Sequence, residues 1–192
     1  MNEPLVSIIM NCFNGEKFLK RALKSIVDQK YSNWELIFWD NLSIDQSKSI
    51  FLSFNDKRFK YYCSEKFKKL YNARNDALSK CRGEYICFLD IDDYWYEEKL
   101  YKQVQLLEKN KNIGLVYSNY LTINMNKILF KKKTIDTKIF RSGIITNHLI
   151  KNYFIGLLTV MIRKSFMKED LSEFDSKYNI LSDFDYILRF SQ

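Results

Sequence analysis

As far as Ser118 the chain alternates two kinds of hydrophobic pattern. Short runs rich in β-branched and aromatic residues (Leu5–Met10, Glu35–Trp39, Phe59–Cys63, Glu84–Leu89 and Ile113–Ser118) are separated by polar turns. Runs of that length and makeup predict strands, and Leu5–Met10 and Glu84–Leu89 read as buried strands of a parallel sheet. Between them, apolar residues recur at three- and four-residue spacing. Phe18, Leu19, Ala22, Leu23, Ile26 and Val27 form one stripe, opposite Lys17, Lys20, Arg21 and Lys24; Leu70, Ala73, Ala77, Leu78 and Cys81 form another. Both stripes predict amphipathic helices. A short helix is expected over Asp45–Phe54 and a longer one over Tyr96–Lys109, while Gly83 is expected to end the helix that precedes it. Strands alternating with helices predict right-handed crossovers and a mainly parallel sheet covered by helices on both faces.

Beyond Ser118 the pattern is less regular. Tyr120–Phe130 alternates enough for one or two strands, Ile144–Phe154 reads as helix, Leu157–Arg163 as strand, and Ser182–Arg189 as a polar start followed by amphipathic helix. The 192 residues fit one domain, with no repeat or low-complexity linker. No apolar stretch approaches the roughly 18–20 residues of a membrane span, and Met1–Glu3 lacks the start of a secretory signal. A cytoplasmic location is therefore expected. Cys12, Cys63, Cys81 and Cys87 show no Cys-x-x-Cys spacing, which argues against a zinc site or a disulfide framework. The net charge of +8 suits anionic partners such as nucleic acid, acidic headgroups or sugar phosphates. Clusters at Lys66–Lys69 and Lys131–Lys133 add to this locally, although a general lysine bias explains them equally well.

One strand ends in concentrated charge. Cys87-Phe88-Leu89 runs directly into Asp90-Ile91-Asp92-Asp93, three carboxylates within four positions. Hard carboxylate oxygens suit Mg²⁺ or Mn²⁺, which sit on one or two carboxylates plus substrate phosphate oxygens. Ligands of open α/β sheets collect at such strand ends. A divalent ion and a phosphorylated ligand are thus one reading. The other makes Asp93 the N-cap of the helix expected from Tyr96, with Glu97 and Glu98 favouring its positive end.

Five segments in order resemble the inverting family-2 glycosyltransferases of the GT-A fold. Val6–Asn14 resembles their opening strand and turn, Trp34–Asp45 the second strand and its Asp-rich turn, and Tyr71–Asn75 the Ala-Arg-Asn helix. Gly83–Trp95 resembles the Gly-Glu-Tyr strand with its Asp-x-Asp-Asp end, and Ser182–Asp185 the catalytic-base motif. The resemblance implies an α/β, GT-A-like fold: a Rossmann-like, mainly parallel central sheet with helices on both faces and a smaller, irregular C-terminal acceptor part. It implies a single glycosyltransferase domain over 1–192, with a nucleotide-sugar-binding half (1–119) and an acceptor and catalytic-base half (120–192). Cys12, Phe13, Asn14, Asp40, Arg74, Asp90 and Ile91 would then bind the donor, most simply a UDP-sugar. Asp40 would accept from the base, Arg74 would reach the diphosphate, and Asp90 would lie near the ribose or metal. Asp92 would hold Mn²⁺ or Mg²⁺, and Asp183 would be the general base. Partners implied are the nucleotide-sugar donor, a glycan or lipid-linked acceptor, and peripheral contact with the inner face of a membrane; no nucleic acid is expected.

Two features depart from the pattern. Ser182 stands where an acidic residue commonly precedes the base, and Asp185 either compensates or pairs with Arg189 at i+4. The chain also stops soon after this motif, so a minimal member and a truncated one are both open. His148 is read as an ordinary helical residue, and Trp95 as a sugar platform or as packing beneath the aspartates. Three rival functions remain at this point. A nucleotidyltransferase would want a Gly-rich basic loop after the first strand, where this chain has Asn11–Glu16. A basic nucleic-acid-binding protein would ignore divalent ions. An inactive fold of the same family would bind a nucleotide without turnover.

Overall fold

The structure, a computed structural model, describes residues 3–123, 142–167, 172–178 and 180–191. Its elements run β1 (Val6–Cys12), α1 (Glu16–Val27), β2 (Trp34–Asp40), α2 (Ser47–Ser53), β3 (Phe59–Cys63), α3 (Leu70–Leu78), β4 (Tyr85–Phe88), α4 (Lys99–Lys109), β5 (Leu115–Val116), α5 (Thr146–Lys151), β6 (Met161–Arg163) and α6 (Ser182–Phe190). Six strands form one sheet in the order β3-β2-β1-β4-β6-β5. The first four are mutually parallel, and β6 runs antiparallel to both β4 and β5. Strand order reverses between β1 and β4, so the crevice outside their carboxyl ends is where a ligand of an open α/β sheet binds.

Every residue of β1, β2 and β4 is buried, as the continuous apolar runs require. Alternate side chains feed two cores. Ile8, Met10, Leu36, Phe38 and Cys87 pack with Leu19, Leu23 and Ile26 of α1, Phe51 of α2, and Leu100, Val104 and Leu107 of α4. On the other face Ile9, Ile37, Ile86 and Phe88 meet Ala73 and Ala77 of α3, Leu149 of α5, and Tyr186 and Ile187 of α6. Helices therefore cover both faces, as the sequence pattern predicts.

Several boundaries differ, each for a tertiary reason. β1 extends through Asn11 and Cys12, which the sequence reading assigned to a turn, because β2 pairs with it as far as Cys12 opposite Asp40. α4 starts at Lys99 rather than Tyr96. The carbonyls of Tyr96 and Glu97 accept bonds from Gln29 Nε2 (2.9 Å) and the Lys30 N–H (2.8 Å), and Gln29 Oε1 takes the Leu100 N–H at 3.1 Å. Asp93 is consequently not a helix cap; Glu98 holds that place, without a side-chain cap bond. The Ile113–Ser118 strand shrinks to Leu115–Val116, and the Ile144–Phe154 helix to Thr146–Lys151. A single 3₁₀ turn, Leu157–Thr159, replaces the first half of the last expected strand. Tyr120–Ile123 form no strand, and the rest of that segment, with Lys131–Lys133, lies outside the described residues.

Gly83 lies beyond the end of α3 and serves a close approach, not a helix cap. A Cβ there would stand 2.6 Å from Ser7 N and 2.7 Å from Leu5 O. Its N–H donates to Ser7 Oγ at 2.8 Å, and that hydroxyl donates to the buried Glu35 at 2.7 Å. No helix among the described residues is long and apolar enough to cross a membrane.

Candidate active site

The loops that leave β1, β2 and β4 meet at the carboxyl edge of the sheet. After β1, Asn14 turns through a positive φ of 51°, and its N–H donates to Ser43 Oγ at 3.0 Å while its Oδ1 accepts the Ile44 N–H at 2.9 Å. The Cys12 carbonyl accepts the Asn41 N–H at 2.8 Å, and burial pushes the Cys12 thiol up. Phe13 is half-exposed and meets Phe67 edge to face, with centroids 4.9 Å apart. Phe67 is held there because Asn41 pins its neighbour Lys68, donating to its carbonyl at 2.8 Å and accepting its N–H at 3.1 Å. Gly15 faces Ile91: a Cβ on Gly15 would come within 2.6 Å of the Ile91 side chain, so the first loop and the acidic turn interlock.

Asp40 closes β2 and is buried. One carboxylate oxygen accepts the Ser43 N–H at 2.8 Å and the other accepts the Tyr61 hydroxyl at 2.6 Å. Burial, and then this bond to Asp40, push the Tyr61 hydroxyl far above its ordinary range. Arg74 projects from α3, is also buried, and donates to Asp90 at 2.9 Å while lying against the rings of Tyr71 and Phe174. Two residues to which the resemblance gives separate ligand roles are thus joined to each other.

Asp90 to Asp93 form a turn closed by the Asp93 N–H on the Asp90 carbonyl at 3.1 Å. Asp92 is exposed, whereas Asp93 is partly buried. Burial, reinforced by Asp92 and Asp90, raises the Asp93 carboxyl to about 6. Crowded hard oxygens that repel one another fit a divalent cation, which takes one or two carboxylates and completes its shell with phosphate or water. Among the described residues no group of three or more His, Cys, Asp or Glu converges as a full protein cage. His148 lies exposed on α5. Beneath the turn Trp95 is buried; its indole donates to the Leu158 carbonyl at 3.0 Å, and the Lys99 ammonium sits 4.1 Å over its ring. It packs in the core and also borders the cavity beside the turn. Beside the turn lies a cavity of about 540 Å³, bordered by Asp92, Asp93, Tyr94, Lys99, Tyr120 and Thr159.

Asp183 lies in the first turn of α6, and its Oδ1 accepts the Phe184 N–H at 2.8 Å. Burial raises the Tyr71 hydroxyl, and the charges of both Asp183 and Asp90 raise it further. Tyr71 therefore lies within electrostatic reach of the base motif and the acidic turn, although 93 residues separate the two aspartates in sequence. Asp185 accepts from Arg189 Nε at 2.9 Å, the expected i+4 pair along α6. Sequence reasoning missed Asn11, buried at the carboxyl end of β1 with neither atom of its carboxamide partnered. A polar residue directly following the apolar run Ile8-Ile9-Met10 was the available signal.

The family model for glycosyl transferase family 2 matches residues 7–170. The chain belongs to that family. It is 38% identical over 167 residues to an Escherichia coli UDP-Glc:α-D-GlcNAc-diphosphoundecaprenol β-1,3-glucosyltransferase, a match covering 87% of this chain and 63% of that protein. A Bacillus subtilis protein provisionally named as a teichuronic acid biosynthesis glycosyltransferase is 30% identical over 163 residues, covering 83% and 62%. The chain thus spans less than two-thirds of the length of these relatives. Among solved structures, Staphylococcus aureus TarS in complex with UDP-GlcNAc superposes with a TM-score of 0.75 at 20% identity, covering 95% of this chain and 53% of that one. A Pyrobaculum calidifontis mannosyltransferase bound to GDP-Man and Mn²⁺ gives 0.65 at 16% identity, covering 91% and 48%. These likenesses establish the GT-A type of fold.

Proposed function

We propose that the chain carries the catalytic α/β unit of a metal-dependent, inverting glycosyltransferase that moves a sugar from a UDP-sugar to an acceptor hydroxyl of a glycan or glycolipid. The observation that supports this reading is the cluster at the switch point of the sheet: Arg74 donates to Asp90 at 2.9 Å and lies over Tyr71, whose hydroxyl is within electrostatic reach of Asp183. UDP is chosen because the 38%-identical relative is named for UDP-Glc, and the same name motivates a lipid-diphosphate-linked acceptor. Such a acceptor belongs at the inner face of a membrane, where the net charge of +8 favours peripheral attachment. Residues 1–119 form the donor half and 120–192 the acceptor half.

The nucleotide lies across the carboxyl ends of β1 and β2. Asp40 takes an imide N–H of the base on a lone pair left over from its bonds to Ser43 and Tyr61. Phe13 supplies an apolar wall, and the Cys12–Asn14 backbone shapes the floor. Arg74 holds Asp90 in place and adds positive charge facing the diphosphate. Asp92 would hold Mn²⁺ or Mg²⁺, whose Lewis acidity offsets charge on the departing nucleoside diphosphate. Asp183 accepts the proton of the attacking acceptor hydroxyl, and a single displacement opposite the leaving group inverts the anomeric configuration. The cavity beside Asp92 receives the sugar and the acceptor end that meets it.

A panel of UDP-sugars offered with lipid-linked saccharide acceptors tests this. One donor should be turned over with inversion. Asp183→Asn should cost about 100- to 10,000-fold in turnover while leaving UDP affinity unchanged. Full turnover in Asp183→Asn would remove the residue from the role of base.

A further inference from the structure

Asn11 is 9% exposed, and both polar atoms of its side chain lack a partner. Two other described side chains share part of that condition. The Trp34 indole begins β2 at the opposite edge of the sheet, and the Tyr186 hydroxyl is sealed inside the core at 0% exposure. Asn11 alone among the described residues leaves two buried side-chain polar atoms unpartnered, and it stands at the carboxyl end of β1, next to the switch point of the sheet. A buried carboxamide without partners is costly in the unliganded protein, so its place here is explained by a ligand that completes it.

The sheet register says what stands beside it. β1 and β4 pair in parallel up to Ile9 opposite Phe88, and the Leu89 N–H continues the ladder to the Ile9 carbonyl at 3.0 Å. Two residues past that pair come Asn11, still in β1, and Asp90, in the turn beyond the end of β4, where Arg74 of α3 reaches it. Arg74 of α3 donates to Asp90 Oδ1 at 2.9 Å. On its other flank Asn11 is opposite Trp39 of β2. Asp40 and Cys12 belong to the other face, so the group met by Asn11 differs from the base edge met by Asp40.

The chemistry of the pair narrows the ligand. A phosphate offers acceptors only, and would leave Asn11 Oδ1 facing another oxygen. A hydroxyl both donates and accepts. Beside an acceptor-only carboxylate, a carboxamide completes a vicinal diol: Nδ2–H donates to a hydroxyl oxygen whose proton goes to Asp90, and Oδ1 accepts the proton of the neighbouring hydroxyl. We propose that Asn11 and Asp90 together hold the ribose diol of the donor nucleotide, making Asn11 a residue that distinguishes ribonucleotide from deoxyribonucleotide donors. This rests on the nucleotide-sugar reading above.

Calorimetric titration of UDP, 2′-deoxy-UDP and 3′-deoxy-UDP, with Mn²⁺ present, into wild type, Asn11→Ala and Asn11→Val tests it, with melting temperatures of each unliganded protein. Wild type should bind UDP about tenfold more tightly than at least one deoxy analogue. Both variants should lose about tenfold for UDP yet bind that analogue as wild type does, and should melt no lower than wild type. Variants that bind UDP like wild type, or that weaken for UDP and both analogues equally, overturn the assignment of Asn11 alone. A wild-type protein that binds none of the three overturns the donor reading together with it.

Discussion

Asp93 shows what three carboxylates within four positions do to one another. Its carboxyl lies at about 6, raised first by burial and then by Asp92 and Asp90. The folded-state value exceeds the unfolded one, so protonated Asp93 costs nothing, and the penalty grows as pH rises from about 4 through about 6. Asp93→Asn should therefore stabilise the protein by about 1–2 kcal/mol at pH 8, below the roughly 3 kcal/mol ceiling of the shift because solvent screens the turn. At pH 4 the gain should vanish. Urea denaturation at both pH values checks this, and an equal gain at both would assign the effect to packing. The acidic turn was legible in the sequence because its charge interrupts an apolar strand. The Arg74–Asp90 bond and the orphaned Asn11 were not, because each depends on which residues the sheet and α3 bring side by side.

At the scale of elements, the hydrophobic pattern located every strand and helix of the first half, most of which bury a run or a stripe, while β3 at the sheet edge is only partly buried. It failed where tertiary bonds override propensity. Gln29 and Lys30 take the backbone groups with which Tyr96 and Glu97 would have begun α4. Gly83 read as a helix stop, a common use of glycine, yet its place is fixed by β1 lying against it. Gly83→Ala should accordingly destabilise the fold by about 3 kcal/mol or more, because the two nearest atoms, Ser7 N and Leu5 O, are backbone and cannot swing aside. Chemical denaturation measures it; a loss under about 1 kcal/mol would show that β1 and the Gly83 turn separate readily.

For the whole molecule, function follows from where the chain reverses its path across the sheet. β1 leads to β2 and β3 on one side, while β4 leads to β6 on the other, and the opening between them gathers Asn11, Asp40, Asp90 and Asp92 from three strand ends. α6, from the far end of the chain, brings Asp183 within electrostatic reach of Tyr71 on α3. That convergence could be anticipated from the order of five motifs, but not from any one of them. Its most direct test is calorimetric titration of UDP into the wild-type protein and Asp92→Ala, each with Mn²⁺ and with chelator. The account predicts UDP binding that weakens at least about tenfold on chelation and to the same degree in Asp92→Ala, whose residual binding no longer responds to Mn²⁺. UDP binding indifferent to both chelator and Asp92→Ala, in a folded sample, would contradict it.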